Sequence, residues 1–307
     1  MNDLDDVVIY ASSSYQELAD TLSAELGAPR GDIECRAFPD GETYHRVLTR
    51  PDGQHCVLVG GTISDEETLE IYDLASGLVV GGARRLTLVI PFLGYSTMER
   101  AVKRGEVVKG KTRARLLSSI PIAAEGNRAL LLDLHAEGLP YYFEGSLNAR
   151  HAYAKPLILE AIQDLAEDFV LGCTDSGRAK WVESLALELG VPMAVVLKRR
   201  DEHGTVVSGI NADVKDRTVV IYDDMIRTGG SLLGAAQVYR NAGARRVCAV
   251  CTHGLFPGEA LAKLKDSGLL EKIVCTNSHP RAVDSAGEFL DVRCVGRLLA
   301  QRLKEVH

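Results

Sequence analysis

The sequence predicts an α/β fold built on mainly parallel sheets flanked by helices. Three observations carry that prediction. Short apolar, β-branched runs recur along the whole chain, several of them read as apolar on both faces, and helical stretches that close on a glycine lie between them. Strands apolar on both sides belong in a sheet covered by helices, and regular strand–helix alternation is how parallel sheets are wired.

In chain order the predicted strands are 7–12 (VVIYAS), 56–61 (CVLVGG), 85–92 (RLTLVIPF), 129–135 (ALLLDLH), 168–174 (DFVLGCT), 193–199 (MAVVLKR), 218–224 (TVVIYDD), 246–254 (RVCAVCTHG) and 272–278 (KIVCTNS). The helical stretches YQELADTLSAELG and GRAKWVESLALELG both end in Leu-Gly, a C-cap signal. These two stretches also echo each other in context, as do YDLASGLVVGGARRLTLVIPFLGY and LLGAAQVYRNAGARRVCAVCTHGLF. The second pair shares a helix, then Gly-Ala-Arg-Arg, a strand and a glycine-containing loop. The echo predicts two similar domains, 1–148 and 149–307, joined near 148–155.

The 307 residues suit about two domains of ordinary size, and 46% hydrophobic residues suffice for full cores. The formal charge of −7 gives no overall attraction to nucleic acid or to an anionic membrane, so phosphate binding must be local. Seven cysteines include the pair Cys248 and Cys251. Within a strand, positions three apart face opposite sides, and no second pair stands at zinc spacing, so buried reduced thiols are expected. The start MNDLDDVVIY is acidic and lacks the apolar core of a signal peptide, and no run is long enough to span a bilayer. A cytoplasmic location follows as the expectation.

The richest local pattern is VVIYDDMIRTGGS (219–231). Asp223 and Asp224 close a strand, where open α/β sheets place ligands. Thr228, Gly229, Gly230 and Ser231 then lead into the helix-like SLLGAAQVYRNAG. Backbone N–H groups of such a turn, with the helix dipole behind them, form a phosphate cradle. The carboxylates would repel a phosphate and suit sugar hydroxyls or a divalent cation. The plainer alternative is a strand-ending turn whose acids cap the helix.

This segment resembles the ribose-5-phosphate loop of type I phosphoribosyltransferases, and the wider chain resembles the ribose-phosphate diphosphokinase family. The resemblance implies two type I phosphoribosyltransferase-like domains, with Asp223 and Asp224 on the ribose diol and Thr228–Ser231 on its 5-phosphate. AFPDGETYHRV (37–47) resembles the loop that reaches the ATP site of a neighbouring subunit: Phe38 on adenine, Asp40 and Glu42 on polar edges. That use implies a homo-oligomer. An ordinary Pro-Asp-Gly turn is the plain alternative. LLLDLHAEGLPYYFEG (130–145) resembles the segment whose histidine, here His135, meets the metal or phosphates of ATP.

CTDSGRAK (173–180) resembles the loop whose acid, here Asp175, helps hold a second Mg2+, although Thr-Asp-Ser-Gly is also a good helix cap. LKRRDEHGTVV (197–207) resembles the catalytic flexible loop, with Lys198 and Arg200 clamping the migrating diphosphoryl group. Read alone it is a solvated basic loop. In FLGYSTMERAVKRGEVVKGKTRARLLSSI (92–120), Tyr95, Arg100, Gly105 and Glu106 match the family pattern, and Arg100 is assigned to ATP.

The implied reaction transfers the diphosphoryl group of Mg-ATP to the anomeric hydroxyl of ribose 5-phosphate, with release of AMP. Several positions depart from the pattern. Thr97 and Met98 replace Arg-Gln, Glu99 replaces Asp, Arg178 replaces Gly, Trp181 replaces Arg, and Arg227 replaces Asp. A family member with altered nucleotide or acceptor preference therefore stays open. A phosphoribosyltransferase would share 223–231 but leave 37–47 and 130–143 unexplained. A non-catalytic regulatory paralogue would not need His135, Asp175, Lys198 and Arg200.

Overall fold

β-Branched residues lose little χ1 freedom in extended backbone and pack well against sheet neighbours, and the apolar runs become strands accordingly. The computed structural model describes residues 6–201 and 204–306. The chain divides into two units, Met1–Tyr153 with Cys294–His307, and Ala154–Arg293.

The first unit runs β1 (Val7–Ala11), α1 (Gln16–Leu26), β2 (Ile33–Ala37), β3 (Thr43–Val47), β4 (His55–Val59), α2 (Asp65–Val80), β5 (Arg85–Ile90), α3 (Lys109–Ser118), β6 (Asn127–Leu132) and β7 (Leu147–Ala152). Its sheet has the order β1-β4-β5-β6-β7, with every pairing parallel. β1 and β4 are buried along their whole length, as two-faced apolar strands must be. α2 starts at Ser64, whose hydroxyl accepts from the Glu67 N–H at 3.1 Å, with three acids in its first turn facing the positive end of the helix dipole.

The second unit runs α4 (Lys155–Gln163), β8 (Phe169–Cys173), α5 (Ala179–Leu189), β9 (Met193–Asp201), β10 (Gly204–Ile210), β11 (Thr218–Ile226), α6 (Gly230–Asn241), β12 (Arg246–Gly254), α7 (Ala260–Asp266), β13 (Ile273–Thr276), α8 (Pro280–Asp284) and β14 (Leu290–Arg293). The strand order is β10-β9-β8-β11-β12-β13-β14, with β10 antiparallel to β9 and the remaining pairs parallel. Each unit has its own apolar core, one around Leu58, Leu88 and Leu131, the other around Val219, Ile221 and Val247.

The chain then returns to the first unit as α9 (Gly296–Val306), which packs on α1. Leu299, Ala300 and Leu303 are buried there, and a Cβ at Gly296 would stand 2.4 Å from Thr21 Cγ2, so the approach needs glycine. The sequence gives this helix no mark of its destination.

The echoed stretches adopt matching geometry. α1 and α5 both close on a left-handed glycine, Gly27 at φ 65° and Gly190 at φ 67°. The Gly-Ala-Arg-Arg copies begin at Gly82 (φ 98°) and Gly243 (φ 92°), and the last arginine of each copy pairs with a glutamate, Arg85 with Glu125 and Arg246 with Glu271.

Four features differ from the sequence reading. Segment 37–47 is the turn and second strand of an antiparallel hairpin, β2–β3, not an open loop. Segment 197–207 is an antiparallel arm, β9–β10, in which β9 runs on to Asp201. β7 and β14 were not anticipated. β2, β3 and β7 are largely polar and partly exposed, so they lack the two-faced apolar signature; β14 has only four residues. Cys56, Cys173, Cys248, Cys251 and Cys275 are buried free thiols as expected, and burial pushes Cys56 up to about 12, while Cys35 and Cys294 are exposed.

One buried side chain pins the part of the second unit that matters most. The Tyr239 hydroxyl on α6 accepts from the Cys173 N–H at 3.2 Å and lies 2.9 Å from the Ala194 carbonyl oxygen. It thereby locks α6 over the ends of β8 and β9. Gly172 leaves room for that ring, since a Cβ would meet it at 3.0 Å. Tyr239→Phe should cost about 1–3 kcal/mol by stranding buried backbone groups. A fall in the denaturation midpoint checks this, and an unchanged midpoint counts against the locking role.

Candidate functional site

On the second unit, the carboxyl end of β11 carries Asp223 and Asp224 into the turn before α6. Asp224 is buried and Asp223 half-buried. Asp223 Oδ2 accepts from the Thr174 hydroxyl at 3.0 Å, and its Oδ1 accepts from the Asp224 N–H at 3.0 Å. Arg178 Nη2 pairs with Asp224 Oδ2, and Arg178 Nε lies 4.0 Å from Asp223 Oδ1. Burial first, and the neighbouring Asp224 charge second, push the Asp223 carboxyl up to about 7 against the pull of Thr174 and Arg178.

Gly229 is the left-handed N-cap of α6 at φ 79°, and a Cβ there would stand 2.8 Å from Leu264 Cδ2. No other residue fits that position without strain. Thr228, Gly230 and Ser231 are exposed around it. The first N–H groups of α6 have no partner within the helix, so this turn offers several donors and the positive dipole end to an anion. The Gly229 carbonyl already accepts from the Leu233 N–H at 2.8 Å, which closes the first helical turn.

Asp175 sits in the β8–α5 connection, with Oδ1 accepting from the Gly177 N–H at 2.8 Å. This bond closes the turn Ser176–Arg178, whereas α5 itself has Arg178 as its N-cap with no side-chain hydrogen bond, and it engages one carboxylate oxygen of two. Lys198 and Arg200 stand on β9, in register with Val207 and Thr205 of β10, although their side chains lie outside the described residues.

On the first unit, Phe38, Asp40 and Glu42 come together at the tip of the β2–β3 hairpin. The Phe38 N–H donates to the Glu42 carbonyl oxygen at 2.8 Å, the Glu42 N–H donates to Asp40 Oδ1 at 3.1 Å, and Gly41 takes φ 93°. All three side chains are exposed, Phe38 by 45%. The Phe38 ring belongs to neither apolar core. Behind the tip, Cys35, His45 and Glu70 converge; Glu70 accepts from the Ser13 hydroxyl at 2.6 Å and lies 3.7 Å from His45 Nε2, a polar network tying the hairpin to α2.

His135 follows the carboxyl end of β6 and is half-buried. Asp133 just before it has a left-handed backbone, φ 38°, as does Tyr95 after β5, φ 57°. Non-glycine residues held there cost about 1–3 kcal/mol each and cluster at functional sites. The Leu134 N–H donates to His151 Nε2 at 2.9 Å, and the His151 ring packs against Tyr153 in a tilted arrangement with centroids 4.0 Å apart. Arg100 is exposed and pairs with Glu99 at 3.2 Å. Tyr95 donates to Asp65 at 2.9 Å, beneath the cations of Lys109 and Arg113.

The structure thus groups Phe38, Asp40 and Glu42 on one turn, and Asp223, Asp224 and residues 228–231 on another with Asp175 nearby in the chain fold. His135 and Asp175 belong to different units. Sequence reasoning missed Thr174, the acid-pairing role of Arg178, and the His151–Tyr153 pair at the end of β7.

A family model described as the N-terminal domain of ribose phosphate pyrophosphokinase matches residues 7–120, and a phosphoribosyl transferase domain model matches residues 148–278. A ribose-phosphate pyrophosphokinase of Prochlorococcus marinus (strain MIT 9313) is 30% identical, the match covering 99% of this chain and 92% of that protein. Another, from Gloeobacter violaceus, is 31% identical over 97% of this chain and 90% of that protein. The crystal structure of phosphoribosylpyrophosphate synthetase from Mycobacterium smegmatis superposes with a TM-score of 0.86 at 28% identity, covering 98% of this chain and 99% of that one.

The raised Asp223 carboxyl has a consequence for stability. The native state holds this proton more tightly than the unfolded chain, so the contribution is complete below the ordinary value of 3.8 and is lost as pH rises through about 7. Asp223→Asn keeps an oxygen acceptor for Thr174 and removes the ionisation. Its melting temperature relative to wild type should rise between about pH 5 and about pH 8. Parallel melting curves across that window would contradict the shift.

Proposed function

The chain belongs to the ribose-phosphate pyrophosphokinase family and is an enzyme of that family, and we propose that its two units divide the substrates between them. The reaction makes 5-phosphoribosyl 1-diphosphate from ribose 5-phosphate and ATP. The anomeric oxygen attacks the β-phosphorus of ATP and loses its proton. The bond from the β-phosphorus to the α–β bridging oxygen breaks, and AMP leaves.

The observation that carries the reading is the turn from β11 into α6. It sets two carboxylates beside a left-handed glycine and a helix N-terminus at the carboxyl edge of a parallel sheet. Acceptors for hydroxyls and donors for a phosphate stand side by side, the chemistry that a sugar phosphate presents. Asp223 and Asp224 take the ribose diol, and Thr228, Gly229, Gly230 and Ser231 take the 5-phosphate.

Phe38, Asp40, Glu42, Arg100 and His135 serve the nucleotide. The exposure of the hairpin tip supports its service to the ATP site of a neighbouring subunit in a homo-oligomer. Lys198 and Arg200 on the β9–β10 arm stabilise the negative charge that spreads over the transferring group, since such transfers depend on alignment and electrostatics more than on covalent help. Among the described residues no helix is long and apolar enough to cross a membrane, and the setting we assign is the cytoplasm.

A divalent cation fits this donor set. Asp175 engages one oxygen with Gly177, a carboxylate has a second, and phosphates complete the oxygen shell that Mg2+ prefers. His135, a nitrogen donor on the first unit, suits the nucleotide phosphates or the metal they carry. When bound, Mg2+ supplies charge neutralisation to the polyphosphate.

Purified protein given ribose 5-phosphate, ATP and Mg2+ should release AMP with formation of the diphosphorylated sugar; absence of both products refutes the assignment. Lys198→Ala should lower kcat by about 10²–10³-fold while leaving KM for both substrates nearly unchanged. A turnover near wild type removes Lys198 from the chemistry. Phe38→Ala should raise KM for ATP more than it lowers kcat, and steady-state kinetics that show the reverse would dissociate the hairpin from nucleotide binding.

A further inference from the structure

Arg178 stands where the family resemblance places glycine, yet its guanidinium is built into the acid pair. It belongs to the short turn Ser176–Arg178 at the start of α5. That turn is held by the Gly177 N–H on Asp175, and the strand before it, β8, lies in parallel register with β11, Cys173 opposite Tyr222. Nη2 pairs with Asp224 Oδ2, Nε lies 4.0 Å from Asp223 Oδ1, and the Arg178 side chain is only 21% exposed. Thr174 from the same connection holds the other oxygen of Asp223 at 3.0 Å. The β8–α5 connection thus grips both carboxylates, one through a hydroxyl and one through a cation.

Two neighbouring carboxylates with little access to water repel each other and resist joint ionisation. A sugar diol presents two O–H donors and needs acceptors opposite them, which ionised carboxylates supply and a protonated acid supplies less well. A guanidinium never gives up its charge, so placed against both carboxylates it favours their ionised form over what burial and mutual repulsion alone would allow. A carboxylate accepts hydrogen bonds in about four directions, so contact with a guanidinium on one side does not exhaust it.

We propose that Arg178 is the built-in counter-cation of the sugar grip, a positioning residue that holds Asp223 and Asp224 as a paired acceptor and so sets selectivity for a sugar phosphate bearing a vicinal diol. This rests on the reading of 223–231 as the sugar-phosphate half-site. The alternative role, a plug that the sugar must displace, predicts the opposite effect of removing it. A site built around hydroxyl acceptors discriminates strongly against a ligand lacking a hydroxyl, so the readout is a ratio of two affinities.

The test is calorimetric titration of the full-length protein with ribose 5-phosphate and with 2-deoxyribose 5-phosphate, without nucleotide, for wild type, Arg178→Met and Arg178→Lys. Wild type should prefer ribose 5-phosphate by about tenfold or more. Arg178→Met should lose that preference, chiefly through weaker binding of ribose 5-phosphate, and Arg178→Lys, which keeps the charge, should retain most of it. The proposal is overturned if Arg178→Met keeps the wild-type ratio, binds ribose 5-phosphate more tightly, or loses both ligands equally, which would mark a role in folding of the turn. Loss of preference in Arg178→Lys to the level of the methionine variant also overturns it. If wild type binds neither sugar phosphate, the half-site reading itself falls and takes the inference with it.

Discussion

Parallel strand pairing is the constraint on which the rest of this molecule depends. A parallel sheet must be covered on both faces and crossed by helices, so its connections gather at the two edges. Asp133 and His135 after β6, Tyr95 after β5, Asp175 after β8, Asp223 and Asp224 in the last residues of β11 and Thr228–Ser231 after it all gather at the carboxyl ends of parallel strands. None of them has to pay a packing role there. The sheets fix where the chain ends each strand, and the connections are left to carry polar groups that a core would reject.

Within the second unit, one residue links that scaffold to the polar site. Tyr239 holds α6 against the ends of β8 and β9 from below, and the N-terminus of the same helix is the turn that offers N–H groups to an anion. Thr174 and Arg178 reach the acid pair from the connection that begins one residue beyond Cys173, the backbone that Tyr239 grips. The positions of acceptors and donors are therefore set by a buried hydroxyl, not by the exposed turn alone.

How much was legible in the sequence follows from what each signal measures. The two-faced apolar strands declared themselves because burial on both sides leaves no alternation. β2, β3 and β7 carry polar residues on open faces, and their pairing partners, not their composition, make them strands. The acid pair and the glycine turn were visible as a string of adjacent residues. Arg178 was visible only as a departure, because its contact joins positions 45 and 46 residues away across two strands, from 178 to 223 and 224. The structure gives that cation to the protein's own carboxylates. Arg227, in contrast, is exposed at the edge of the same turn, and among the described residues no ion pair joins it to the acid pair.

The return of α9 to α1 bears on how the protein comes off the ribosome. The second unit is one uninterrupted stretch of chain and can close as soon as it has emerged. The first unit cannot, although most of it is made earlier, because the apolar cover supplied by Leu299, Ala300 and Leu303 is translated after the whole of the second unit. During that interval the α1 surface that α9 will occupy is bare to solvent. Biosynthetic order and structural order are reversed in this chain, and the half that appears first is the half that is finished last.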